Sequence, residues 1–149
     1  MDYISWRREL EKDAENLELL SLMIADITPE HDTKLQKLFD IIQEKIEHPI
    51  NPGNRKIIIF TAFSDTADYL YANVSKFAKE KFELETAEIT GTVDGKTTIP
   101  KLHADLNTVL TCFSPISKRK AVLMPGSKDE LDILIATCLL YTSDAADEL

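Results

Sequence analysis

Lys56-Ile57-Ile58-Ile59-Phe60-Thr61-Ala62-Phe63 is a short, continuous apolar run rich in β-branched residues. Such a run reads as a strand buried on both faces, the kind that a parallel sheet contains. Parallel strands must be joined by a crossover, usually a helix, and the sequence supplies one. Ala67, Leu70, Tyr71, Val74, Phe77, Ala78 and Phe82 recur at helical spacing, and Ser64 offers an N-cap. Leu84 to Thr90 is a second strand, closed by Gly91. Pro100 suits the start of a further helix, with Leu102, Leu106, Val109, Leu110 and Phe113 as its stripe. Ser114 to Asp129 is a polar loop carrying the basic cluster Lys118-Arg119-Lys120. Leu131-Asp132-Ile133-Leu134-Ile135-Ala136-Thr137 is a third buried strand.

Two helices precede this alternation. Tyr3, Trp6, Leu10, Ala14, Leu17, Leu20, Ile24 and Ile27 step by threes and fours, which predicts a helix over about 2–27 that Thr28-Pro29 ends. Asp32 is the N-cap of a second helix over about 33–48, striped by Leu35, Leu38, Phe39, Ile42 and Ile46. Pro49, Pro52 and Gly53 terminate it. The fold class is therefore α/β: three parallel strands at about 56–63, 84–90 and 131–137, flanked by helices and preceded by two more. Residues 1–54 form a helical lead-in and residues 55–137 the α/β body. Residues 138–149 fit neither a cap nor a stripe. Cys138-Leu139-Leu140-Tyr141-Thr142-Ser143-Asp144-Ala145-Ala146-Asp147-Glu148 is what a widely used tagmentation adapter encodes in frame, so the tail is expected to be non-native.

The 149 residues carry a net charge of −9, which argues against coating nucleic acid by bulk charge and leaves local phosphate contacts open. No apolar run approaches the ~18–20 residues of a membrane span, and no signal pattern opens the chain, so a cytoplasmic protein without a membrane partner is expected. Cys112 and Cys138 form no CxxC pair, which suits a reducing compartment, and Cys112 reads as a buried thiol. His31, His48 and His103 have no metal-ligand spacing. Neither G-x-x-x-x-G-K-[ST] nor G-x-G-x-x-G occurs, so a self-contained nucleotide-binding enzyme is disfavoured.

Three blocks in order resemble the C-terminal RecA-like lobe of superfamily-two helicases and translocases, the bacterial group related to Swi/Snf remodellers above all. Lys56 to Ala67 resembles helicase motif IV. Ile89-Thr90-Gly91 resembles the strand-end block that follows it. Phe113-Ser114-Pro115 with Leu131 to Thr137 resembles the approach to motif V and its first half. Asp32-Thr33-Lys34-Leu35-Gln36-Lys37-Leu38 is also typical just before motif IV. The likeness spans roughly residues 30–137. After Ala136-Thr137 the family continues with an acidic residue and a Ser-Glu-Gly stretch, where this chain has Cys138. Motif VI and the first lobe are absent.

The resemblance implies a partial RecA-like lobe, truncated in motif V. Its complete parent would be an ATP-dependent helicase or translocase that uses ATP and magnesium, with this fragment alone inactive and holding no cofactor, metal or catalytic residue. Its partners would be nucleic acid, DNA in preference to RNA, and the missing first motor lobe. Thr61, Ser64, Gly91 and Thr137 would meet the nucleic-acid backbone at the carboxyl ends of the strands. Taken residue by residue, the same four are also ordinary β-formers, a helix cap and a turn glycine. Lys118, Arg119 and Lys120 offer a basic contact to the duplex, or simply a solvated loop. The competing reading is a non-enzymatic α/β module that docks a protein partner through its two leading helices.

Overall fold

The computed structural model describes residues 3–25, 28–91 and 95–137. The expected non-native tail lies outside the described residues. The chain divides into two units, Met1–Leu38 and Phe39–Leu149, with the division inside a helix.

The first unit holds α1 (Tyr3–Ala25), a 3-10 turn (Pro29–His31) and the start of α2 (Thr33–Glu47). Proline suits the first position of a helical turn, where a missing N–H costs nothing. Asp32 caps α2 as the sequence predicts: its Oδ1 accepts from the backbone N–H groups of Lys34 and Leu35, each at 3.0 Å.

The second unit is built on a four-stranded sheet in the order β1-β4-β2-β3. β1 (Ile57–Thr61), β2 (Thr86–Ile89) and β4 (Ile133–Thr137) are parallel, as expected from the alternation of strands and helices. β4 lies between the other two, and all five of its residues are buried. β3 (Lys96–Thr97) pairs antiparallel with β2, a hairpin that the sequence did not announce. Two residues show no period, and the signal lies instead in Gly95. A Cβ there would stand 2.5 Å from the Glu88 carbonyl oxygen and 2.7 Å from that of Ala104, so only glycine lets these backbones approach.

The sheet has two faces. On one, Ala87, Ile89 and Leu134 pack with Val109, Cys112 and Phe113 of α4 (Leu106–Phe113). On the other lies α3 (Ser64–Phe82), whose Ala67, Val74 and Ala78 are fully buried. Phe39 of α2 stacks on Phe77 of α3 with ring centroids 4.2 Å apart.

Four local expectations need correction. β1 is not buried on both faces: Ile58 and Phe60 are 49% and 57% exposed, because β1 is an edge strand. Ser64 does not cap α3. The chain stays extended through Phe63, which takes the cap position, and Ser64 becomes the first helical residue. α4 starts at Leu106, with Asp105 as its cap, rather than at Pro100; the Asp105 carboxylate accepts from the Thr108 N–H at 3.1 Å, and proline has no side-chain acceptor to offer such a bond. The loop over 114–129 contains α5 (Lys120–Leu123), a single turn.

α3 ends on Glu83 in the left-handed conformation (φ 57°), with the Leu84 N–H donating to the Ala78 carbonyl at 3.2 Å. This is a Schellman-type stop, which glycine usually supplies. A non-glycine residue there carries a strain of about 1 kcal/mol. Glu83→Gly should therefore raise the midpoint of thermal unfolding by a few degrees. A lowered midpoint would show that the Glu83 side chain outweighs its backbone strain.

Candidate nucleic-acid interface

The parallel strands bring their carboxyl ends to one edge of the sheet, the edge at which α/β proteins hold ligands. Register pairs Thr61 of β1 with Thr137 of β4, and Ile89 of β2 with Ala136. The Gly91 N–H donates to the Thr137 hydroxyl oxygen at 3.4 Å, which ties the turn after β2 to the end of β4. The Phe63 N–H donates to the Thr61 hydroxyl oxygen at 3.4 Å, so Thr61 shapes the turn into α3. Ser64 then opens α3 in an exposed position. Thr61, Gly91 and Thr137 are thus brought together, with Ser64 three residues beyond β1.

The four differ in access. Ser64 and Gly91 are exposed and Thr61 is half-buried. Thr137 is only 5% exposed. Its hydroxyl supports the Gly91 backbone, so any effect it has on a ligand passes largely through that turn.

The basic cluster is elsewhere. α4 runs back across the sheet, and the Leu131 N–H, just ahead of β4, donates to the Cys112 carbonyl at 3.1 Å. The segment after Phe113 therefore lies at the amino-terminal edge. β4 alone separates the two edges by roughly 16 Å at ~3.3 Å per residue. Lys120 is buried, and its ammonium donates to the Asp129 carbonyl rather than facing solvent. Burying a charge is tolerated only with such a partner, and this removes Lys120 from the expected basic contact. Lys118 and Arg119 are exposed but belong to a different edge from Thr61, Ser64, Gly91 and Thr137.

Sequence reasoning passed over one cluster. Glu88 sits in the short strand β2 and is 2% exposed, facing α3. The Lys96 ammonium lies 3.1 Å from its Oε2 and also binds Asp68 of α3. That contact is off hydrogen-bond geometry, so neither carboxylate oxygen of Glu88 has a hydrogen bond among the described residues. Burial pushes the Glu88 carboxyl above the usual glutamate range, against the pull of Lys96. The Lys96 ammonium holds Asp68 below the usual aspartate range. Tyr71 is pushed up by its burial and by the Glu88 charge. A lone glutamate within Thr86-Ala87-Glu88-Ile89 was the available signal, because an acid in a fully buried strand requires a partner.

Cys112 is buried, and burial raises its thiol pKa, so it lacks the thiolate character of a nucleophile. His103 pairs with Asp105 at 3.0 Å, and the His31 Nδ1 lies 3.1 Å from the Thr28 hydroxyl. Among the described residues, no three His, Cys, Asp or Glu side chains gather as metal ligands, and no helix is long and apolar enough to cross a membrane.

No protein-family model matches this chain, and neither a curated protein nor a solved structure is similar to it.

Proposed function

We propose that this chain is the second motor lobe of an ATP-dependent nucleic-acid helicase or translocase that works in the cytoplasm. One observation supports the reading above the others: Thr61, Gly91 and Thr137 share one edge of a parallel sheet, linked by strand register and by the Gly91–Thr137 hydrogen bond. The exposed Ser64 hydroxyl and the half-buried Thr61 hydroxyl would meet phosphate oxygens and read no bases, with Thr137 supporting the Gly91 turn beside them, so binding would be tolerant of sequence. The edge has little positive charge to add. Lys96 is occupied by Asp68 and Glu88. The lobe would therefore grip a strand weakly alone and depend on its partner lobe.

The sequence has no phosphate-binding glycine loop to cradle ATP and its magnesium. Phosphoryl transfer needs that cradle and its metal, which the partner lobe would bring. This chain's own part is to hold the strand.

Fluorescence anisotropy with labelled oligo-dT and oligo-U at low salt tests the assignment. Weak binding is expected, stronger for dT, lowered several-fold by Ser64→Ala or Thr61→Ala and unchanged by Lys118→Ala at the far edge. Binding that follows Lys118 and ignores Ser64 and Thr61 would move the interface to the basic loop and sink the proposed edge.

One observation favours the second reading, a protein-docking module. In α1, Tyr3, Trp6, Leu10, Leu17, Leu20 and Ile24 form a helical stripe, and all are 51–70% exposed. A stripe of that kind suits an apolar protein partner.

A further inference from the structure

Among the described residues, β1 has one paired side and one open side. Its neighbour in the sheet is β4, and it forms the edge of the sheet. The Ile57 N–H donates to the Asp132 carbonyl at 2.9 Å, toward β4. Backbone groups alternate sides along a strand, so those of Ile57, Ile59 and Thr61 turn to β4 and those of Ile58 and Phe60 turn outward. The same two residues carry the exposed side chains of the strand. Register sets Ile58 beside Leu134, on the face that α4 covers over β2 and β4, but over β1 no described element covers that face, and Ile58 and Phe60 stay exposed. Natural edges are usually blunted by charge, proline or a bulge. From Ile57 to Ser64 this edge has no charge and no proline. The nearest cation, Lys56, is held within its own sheet by Glu130 at 2.7 Å and by the Leu131 carbonyl at 2.6 Å.

We propose that the open edge of β1 pairs with β1 of a second copy of this chain, antiparallel about a two-fold axis through Ile59, to make one continuous sheet. The strand chooses that register itself. With Ile59 on the axis, Ile58 lies opposite Phe60 of the second copy, and Phe60 opposite its Ile58. These are the residues whose backbone groups point outward, so each opposed pair exchanges both hydrogen bonds. Their side chains then meet as β-branched and aromatic neighbours on that same face, a favourable cross-strand combination. Centring the axis on Ile58 instead would set Lys56 against Phe60 and lose half of that match. Because the strand is neutral, a second copy meets no like charge, despite the net charge of −9 on the whole chain. This surface is separate from the strand ends that carry the proposed nucleic-acid contact, and its test is independent of nucleic-acid binding.

Sedimentation equilibrium of the full chain should give a mass approaching twice 16.8 kDa as concentration rises. Phe60→Lys puts a charge at a solvent-facing position and should weaken the dimer by about tenfold or more, with the circular dichroism of the monomer unchanged. Cross-linking checks the register even if that variant folds poorly. Residues at position 59 of the two copies would face each other at ~4.5 Å between Cα atoms, within reach of a disulfide. Oxidised Ile59→Cys should form a covalent dimer well above the background set by Cys112 and Cys138, and Ile58→Cys, displaced along the strand from its own copy, should not. A chain that stays monomeric, a dimer indifferent to Phe60→Lys, or equal cross-linking from positions 58 and 59 would each overturn the proposal.

Discussion

Ile135→Ala should lower the unfolding free energy by about 3 kcal/mol, read as a fall in the urea midpoint at unchanged slope. Ile135 has no exposed surface and sits in the middle of β4, paired with Ile59 of β1 on one side and Glu88 of β2 on the other. Removing three methyl or methylene groups forfeits their transfer energy and leaves a cavity that two fixed neighbouring strands cannot close. The exposed Ile58, on the adjacent strand, provides the contrast. Ile58→Ala should cost well under half as much in the monomer, because little of the side chain is withdrawn from water. Equal losses at the two positions would mean that the sheet is not ordered around β4.

Glu88→Gln should raise stability at neutral pH by about 1 kcal/mol and flatten the upper part of its pH dependence. The groups facing Glu88 are Asp68 and Tyr71 from α3 and Lys96 from β3, while β4 presents the uncharged Ile135. The Glu88 carboxyl is raised in the folded chain, chiefly by burial. Its contribution is full below the ordinary glutamate range and is lost as pH rises through the raised value. Asp68 is lowered, chiefly by Lys96, and works the other way: its contribution is present above the ordinary aspartate range and is lost as pH falls. The native chain should therefore be most stable under mildly acidic conditions. Urea titrations across pH should show Glu88→Gln losing the decline on the alkaline side and keeping the one on the acid side. Parallel curves for the two proteins would show that Glu88 does not bind a proton differently on folding.

The elements legible in the sequence were those whose signal is local and repeated. The stripes of α2 and α3 and the apolar run of β4 each reflect the burial of a face, the stripe of α1 marks a helix whose apolar side stays exposed, and Asp32 caps the helix that it precedes. What escaped depended on partners distant in the chain. Whether Ile58 and Phe60 are covered depends on the strand order, which the β1 run does not encode. Ser64 and Pro100 both have the chemistry to start a helix, but the extended Phe63 and the hydrogen-bonding Asp105 took those positions. Lys120 reads as a solvated cation until the Asp129 carbonyl is found beside it. The grouping of Thr61, Gly91 and Thr137 was readable because strand ends in a parallel sheet share an edge. The separation of Lys118 and Arg119 from that edge required knowing the direction in which α4 returns.

The position of β4 also governs when the sheet can exist during synthesis. β1 and β2 do not pair with each other; each pairs with β4, which leaves the ribosome after both. Until then the Ile57–Thr61 segment has neither of its edges satisfied, and β2, which β3 can already join, still lacks its parallel neighbour. Closing so long a loop is slow because its entropy must be spent before any strand contact returns energy. The interval before β4 emerges is therefore when this chain is most exposed to pairing with the wrong strand, and when a holding chaperone would have the most to bind.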